Sequence, residues 1–384
     1  MNVISANDLR ADQIFSEPVY SGGNNMLVPA NVPLRQKDID LLVSWGIDSV
    51  RTEGVLIGGK GDDSPEESAA EKKPLTKFSI KDVQQNSAPY RAYKSLIEKL
   101  NSVFSDLKSG SDVELRMVDK ISVQLLQDLK NHMDAFIGFI LGGEVIGNEL
   151  AKNSINTAIL SALISFELKL PNHKINNIVS GALLHDVGML RLSKGITEKK
   201  GALTEAELEQ VKTHPFHSSK IVTKELFGSH EVNLIALQHH ERWDGQGYPE
   251  RLTGQAIDIG ARIVSVADAF EAMVSKKSYR DSLSGYQALK NLLADNARRF
   301  DPAVIMAFTK VMGIYPIGSI VRLNDNSVAR VVSINTDAPL RPVVELLVNS
   351  NGRVLGNANK KTIDLLTDKK LYIREALAPE ECSA

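Results

Sequence analysis

Cysteine is almost missing: the 384 residues hold one, Cys382, close to the C-terminus. No disulfide can form within the chain, which suits a reducing compartment. An excess of either charge is missing too, with 45 basic against 47 acidic residues and a net charge of −2. That balance excludes the basic footprint of a protein that grips long nucleic acid. There is no long hydrophobic run. The most apolar stretch, Ala135 to Gly147, is too short to span a bilayer and contains Glu144, so it reads as a buried helix. The first residues, MNVISANDLRADQ, lack the basic region and apolar core of a signal peptide. A cytoplasmic protein without a membrane span is the expectation. No internal repeat is visible.

What is present divides the chain into five parts. Residues 1–57 read as a small α+β unit. In it Val19-Tyr20 and Met26-Leu27-Val28 flank a Ser-Gly-Gly-Asn-Asn turn, as in a hairpin. Pro33 is placed to open a helix carrying Ile39, Leu42 and Trp45 inward, and Ile47 to Val50 reads as a strand. Residues 58–77 are glycine-rich, then charged, and nearly free of large apolar side chains. Such a segment buries too little to offset its ordering entropy and reads as a flexible linker.

Residues 78–144 read as a helical connector and 145–314 as a helical bundle. Ile155, Ala158, Ile159, Ala162, Leu163 and Phe166 recur at helix spacing. Thr204 and Glu207 have the spacing of a capping box, and Ile257 to Val274 reads as a buried helix ending near Ser275. Residues 315–375 read as a small β-rich, barrel-like unit. Its short β-type runs, Ile320–Leu323, Ala329–Val332 and Val343–Val348, are separated by Asn324-Asp325-Asn326 and Asn351-Gly352 at turn positions. The fold expected is therefore mostly α, with small flanking units.

Chemistry concentrates in the bundle. Four of the six histidines between residues 185 and 240 stand in motifs with particular carboxylates: Leu183-Leu184-His185-Asp186-Val187-Gly188, His214-Pro215, and His239-His240-Glu241-Arg242-Trp243-Asp244-Gly245-Gln246-Gly247-Tyr248-Pro249. Val266-Ala267-Asp268 follows. Helical bundles build metal sites from side chains on facing helices, and mixed imidazole and carboxylate donors suit iron, manganese, zinc or nickel. A carboxylate such as Asp186 has two oxygens and can bridge two ions, and a pair of ions can clamp a phosphodiester. Each piece also has a bland explanation. His214 suits a loop, adjacent histidines can cap a helix, and Asp268 can pair with Arg262. Their coincidence at compatible spacing favours the metal site, because a buried carboxylate is costly unless paired or metal-bound.

The run HHERWDGQGYP resembles the HHExxDGxGYP signature of the HD-GYP phosphodiesterases at every fixed position, and LLHDVG resembles their HD motif. The likeness extends through His214-Pro215, Val266-Ala267-Asp268 and Phe300-Asp301-Pro302. It implies an HD-type helical bundle that hydrolyses cyclic di-GMP to pGpG and onward to GMP. It also implies two or three divalent ions, iron or manganese, at His185, Asp186, His214, His239, His240 and Asp268. Glu149 matches a glutamate of members that hold three ions. The resemblance gives His185 and Asp186 catalytic roles. It assigns substrate contacts to Lys277 and Arg280, and to the Gly247-Tyr248-Pro249 loop that begins at Gly245. GGDEF-type cyclases and a second copy of the chain are partners of the kind it implies.

Two positions depart from the family. Asn153 stands where a histidine is usual, one turn after Glu149, and an amide oxygen is a weaker ligand for a transition ion. Met189 stands where HDxGK has a lysine that contacts phosphate, and methionine donates no charge-assisted hydrogen bond. Arg191, Lys199 and Lys200 are candidate substitutes. One reading keeps the enzyme, with Asp186, His214, His239 and His240 around one ion and His185, Asp186 and Asp268 around another. A second makes the domain a cyclic-dinucleotide receptor or an adaptor. A third is an HD-type hydrolase of another phosphoester, such as a mononucleotide.

Overall fold

The structure is a computed structural model. It describes residues 2–21, 25–28, 30–36, 38–39, 42, 49–58, 87–142, 149–199, 201–275, 283–294, 298–335, 338–355 and 361–377. The chain forms two compact units, one from residues 80–311 and one from 1–79 together with 312–384. The expected linker, most of the helix after Pro33, and Lys200, Lys277 and Arg280 lie outside the described residues.

The larger unit is helical. Helix α1 (Ala88–Ser109) starts where Ser87 accepts the Tyr90 N–H and stops at Gly110, whose φ of 78° is left-handed. Its apolar residues recur every three or four positions, so Tyr93, Leu96, Leu100, Val103 and Leu107 are all buried. Helix α2 (Leu115–Gly142) takes in the apolar stretch from Ala135 as far as Gly142, the rest lying outside the described residues, and departs from helical geometry at His132. No helix among the described residues is long and apolar enough to cross a membrane.

Helix α3 (Glu149–Glu167) is buried over most of its length, and α4 (Asn172–Leu184) lies against it. After a single helical turn at Lys194–Thr197, the longer helices among the described residues are α5 (Glu205–Val211), α6 (His214–Lys220), α7 (His230–Gln238), α8 (Ile259–Val274), α9 (Gly285–Ala294) and α10 (Pro302–Met312). The capping box at Thr204 and Glu207 opens α5, and α8 is capped at Ser275. A buried polar chain joins α1, α3 and α8. The Tyr93 hydroxyl donates to Asn156 Oδ1 at 2.5 Å, and Asn156 Nδ2 donates to Glu271 Oε1 at 3.0 Å. Each buried group in that chain finds a partner, which fixes one register between the three helices.

In the smaller unit, β1 (Asn2–Ser5), β5 (Ser49–Thr52), β3 (Val19–Ser21) and β4 (Asn25–Val28) form a sheet in that order, and β2 (Ile14–Phe15) pairs with β6 (Leu56–Gly58). The hairpin read from the sequence is the β3–β4 pair, with Val19 opposite Val28. A second sheet has the order β10 (Thr362–Asp364), β9 (Val343–Val348), β8 (Val328–Ser333), β7 (Ile320–Leu323) and β11 (Ile373–Ala376). Asn326 (φ 65°) and Gly352 (φ 77°) supply the left-handed residues of its turns. The N- and C-terminal segments share this unit. Arg35 pairs with Asp38, donates to the Ile373 carbonyl, and lies 5.1 Å from the centre of the Tyr372 ring.

Candidate metal centre and its cavity

Four short segments converge at one end of the helical unit. His185 caps the C-terminus of α4, and Asp186 opens the 3-10 turn Val187–Arg191. Gly188 explains how this turn meets α6. A Cβ there would lie 2.1 Å from the His214 carbonyl oxygen and 2.5 Å from the Ser218 nitrogen, so only glycine lets the two backbones touch. Ser218 locks the contact, accepting the Gly188 N–H at 2.8 Å and donating to the His185 carbonyl at 2.6 Å. His214 is the first residue of α6, with Pro215 behind it in the first turn, where a missing N–H costs nothing. His239 caps the C-terminus of α7, and Asp268 projects from the middle of α8.

These residues form two groups of close donor atoms. Asp186, His214, His239 and His240 make one, and His185, Asp186 and Asp268 the other. Asp186 belongs to both. Its Oδ1 lies 3.0 Å from His214 Nε2 and 3.7 Å from His239 Nε2, while its Oδ2 lies 3.5 Å from His185 Nε2. His185 Nε2 is also 3.6 Å from Asp268 Oδ1. The Asp268–Arg262 pairing that a purely structural explanation requires is absent, because Arg262 donates to Asp301 at 2.6 Å.

Tautomers follow from the backbone. The Nδ1 atoms of His185, His214 and His239 lie 2.7, 2.7 and 3.0 Å from the carbonyls of Ala182, Val211 and Ala236. A carbonyl only accepts, so Nδ1 carries the hydrogen and Nε2 presents a lone pair. His214 Nε2 and His239 Nε2 are then two lone pairs 3.2 Å apart, and His185 Nε2 is buried with no hydrogen-bond partner. Facing lone pairs repel unless a cation lies between them. The donor set therefore fits divalent metal ions.

Without an ion, the carboxylates of the site draw a proton onto His185 in its place. Burial disfavours the Asp186 carboxylate, but His185, His214 and His239 outweigh it and hold its carboxyl well below the usual range. Burial also opposes charge on His185, yet Asp186 and Asp268 carry its pKa up to about 9. Burial and neighbouring histidines push His239 down and His240 well below the ordinary imidazole value.

The Gly245–Pro249 loop folds back over His240. A Cβ on Gly247 would lie 2.4 Å from the Arg242 nitrogen and 2.6 Å from the His240 carbonyl oxygen. Gly245 has a φ of 75°, which favours glycine. The Tyr248 N–H donates to the His240 carbonyl at 3.2 Å, and the two rings lie 4.8 Å apart. Sequence reasoning passed over Glu241. Its buried carboxylate accepts the backbone N–H groups of Glu250, Arg251 and Leu252 at 2.6, 3.0 and 3.0 Å, clamping the loop shut. A glutamate fixed between the histidines and the glycines was the available signal.

A cavity of about 880 Å³ opens beside this loop, with His240, Tyr248, Asp268, Ser265, Lys212 and Arg299 among its lining residues. Met189 does not line it. Arg191 donates to Glu225 at 2.7 Å and to the Leu107 carbonyl at 3.2 Å, and Lys199 donates to Glu207 at 2.6 Å. Neither lines the cavity in place of the missing lysine. Glu149 is exposed at the first residue of α3 and belongs to neither donor group. Asn153 is half-buried one turn further along.

Residues 146–304 match the family described as an HD domain, and residues 320–384 match a KOW domain associated with HD domain. The chain is 28% identical over 353 residues to the cyclic di-GMP phosphodiesterase PdeB of Borreliella burgdorferi, covering 92% of this chain and 90% of that protein. It is 27% identical over 317 residues to the cyclic di-GMP phosphodiesterase PA4108 of Pseudomonas aeruginosa, covering 78% and 74%. Among solved structures it is similar to Bd1817, an HDG"Y"P protein from Bdellovibrio bacteriovorus, with a TM-score of 0.49 at 16% identity over 81% of this chain and 98% of that one.

Proposed function

The chain carries an HD domain of the HD-GYP family, and on that premise we propose that it hydrolyses cyclic di-GMP to pGpG and onward to GMP, as a metal-dependent phosphodiesterase. The observation that carries this reading is Asp186, whose two oxygens face two separate groups of donors beside a cavity of about 880 Å³. That volume lies within the range of small-ligand sites, roughly 300–1,000 Å³. The similarity to two cyclic di-GMP phosphodiesterases supports the substrate class.

In this reading Asp186, His214, His239 and His240 hold one divalent ion, and His185, Asp186 and Asp268 hold another. Glu149 and Asn153 are the candidates for any third. Iron(II) or manganese(II) suits the mixed nitrogen and oxygen donors. When bound, such ions supply Lewis acidity and an acidified water. The chain's own residues do the rest. The carbonyls of Ala182, Val211 and Ala236 orient three imidazoles so that Nε2 faces inward. The Glu241 clamp holds Tyr248 against His240, which walls one side of the cavity. Lys277 and Arg280 remain candidate substrate contacts, with Gly247, Tyr248 and Pro249 on the loop.

The test is turnover of cyclic di-GMP by protein reconstituted anaerobically with iron(II) or manganese(II), with metal content measured on the same sample. Cyclic GMP-AMP and a mononucleotide serve as competing substrates. Turnover of cyclic di-GMP with about two or more ions per chain supports the reading. Equal or better turnover of the mononucleotide overturns the substrate. Asn153 and Met189 favour a second reading, a cyclic-dinucleotide receptor or an adaptor for other signalling proteins. Tight binding of cyclic di-GMP without turnover would select it.

A further inference from the structure

The smaller unit buries a guanidinium that no carboxylate grips. Arg341, in the turn before β9, is 4% exposed. Its Nη1 donates to the carbonyls of Leu371 at 2.7 Å and Leu365 at 3.4 Å. It forms no ion pair among the described residues, and its Nε and Nη2 have no hydrogen-bond partner there. A buried charge without a partner is costly.

Arg35 lines the same cleft and shows the usual remedy. Asp38 takes its fork, with Nε at 2.7 Å and Nη2 at 2.5 Å from the two carboxylate oxygens. The two arginines shift in opposite directions. Burial opposes the charge on Arg35, but Asp38 outweighs it and holds the pKa up. Burial and the Arg35 charge push Arg341 down, and the fields of Asp38, Asp368 and Tyr372 do not make up the difference. Asp38 is one carboxylate between two guanidiniums, and Arg35 holds it.

The cleft is narrow, about 20 Å³. Leu27, Val32 and Pro33 wall it from the N-terminal segment, and Leu340 and Ile373 from the C-terminal one. Tyr372 lines it as well, and its hydroxyl has no hydrogen-bond partner among the described residues. The backbone of Arg341 is fixed: its N–H donates to the Ala338 carbonyl at 2.8 Å, and its carbonyl accepts from Asn335 Nδ2. Roughly 10–15 Å³ is enough for one water, so the cleft takes one group of about that size. Water brings no charge to offset a guanidinium. Phosphate and sulfate are too large, and each wants more donors than Arg341 and Tyr372 offer. A halide is only slightly larger than water and accepts N–H and O–H donors from any side.

We propose that the cleft beside Arg341 and Tyr372 is a halide site, filled by chloride in the cell, whose ion neutralises Arg341 where the N- and C-terminal segments meet. Both residues belong to the smaller unit, whereas the metal-type cluster belongs to the larger one. An ion that binds the folded chain and not the unfolded one stabilises the fold, so chloride should hold the two segments together.

The experiment uses the full chain as wild type, Arg341→Met and Arg353→Gln. Arg353 is exposed and does not line the cleft, so its variant controls for net charge. Crystals soaked in sodium bromide are measured for anomalous scattering, and chloride binding in solution is titrated by the line width of the chloride-35 resonance. The expected result is a bromide peak within hydrogen-bond reach of the Arg341 guanidinium in the wild type and Arg353→Gln. Arg341→Met should lose the peak, and its affinity for chloride should fall by roughly tenfold to a hundredfold. Replacing chloride with gluconate at constant ionic strength should lower the melting temperature of the wild type and leave that of Arg341→Met unchanged. A wild-type crystal without bromide at Arg341 overturns the proposal, whatever the variants do. So does chloride broadening that Arg341→Met leaves intact, and so does a peak at soaking concentration with no saturable binding in solution. If Arg341→Met does not fold, the wild-type peak and titration decide alone.

Discussion

The Glu241 carboxylate accepts the Glu250 N–H at 2.6 Å, closing a loop that begins and ends within ten residues of the metal-type histidines. Two further N–H groups complete the clamp. Replacing Glu241 with alanine takes the acceptor from three part-buried backbone N–H groups, and a hydrogen bond to a charged group is worth about 1.5–3 kcal/mol. Glu241→Ala should lower stability by roughly 2–4 kcal/mol in denaturant unfolding. Glu241→Gln keeps the shape and an acceptor and should lose less. If both variants unfold like the wild type, the clamp contributes nothing.

Asp186 is shared by the two donor groups, so its loss should not be local. Asp186→Ala should strip metal from both groups and abolish turnover of cyclic di-GMP. His214→Ala touches one group and should retain more metal per chain than Asp186→Ala. Elemental analysis of the purified variants checks this, and equal metal loss in both would argue against a bridging role.

Local patterns were legible in the sequence. The capping box at Thr204 and Glu207, the end of α8 at Ser275 and the three strands between Ile320 and Val348 depend on neighbours in the chain; the short strands Thr362–Asp364 and Ile373–Ala376 were not read. Asp186, the four histidines and Asp268 were legible as a set because metal chemistry restricts residue type. What escaped depends on distant partners. Nothing near Arg35 announces Tyr372, yet their contact helps join the two ends of the chain in one unit. Arg191 and Lys199 read as free cations until Glu225 and Glu207 are seen beside them.

Gly188 should be intolerant of any side chain. Its φ is not the reason; the space is, since a Cβ would meet the His214 carbonyl at 2.1 Å. Backbone cannot yield as a flexible side chain can. Gly188→Ala should cost roughly 3 kcal/mol or more and push His214 away from Asp186. The expected readout is a lowered melting temperature together with weakened metal binding. A variant with wild-type stability and metal content would mean that the two backbones are further apart.

The metal-free protein should lose stability as pH rises from about 6.5 to about 9. Burial disfavours the charged form of His185, but Asp186 and Asp268 raise its pKa from 6.5 to about 9. A raised imidazole pKa gives stability that is complete below the unfolded value and is lost as pH climbs through the folded value. His239 and His240 are shifted downward, so their effect falls below pH 6.5 and leaves the alkaline window to His185. Loading the site replaces that proton with a metal ion. Metal-loaded protein should therefore hold a flatter melting temperature across the same window, and metal binding near pH 7 should release protons into a weakly buffered solution. His185→Gln should remove the slope from the metal-free protein. A slope that survives the substitution would place the titrating group elsewhere.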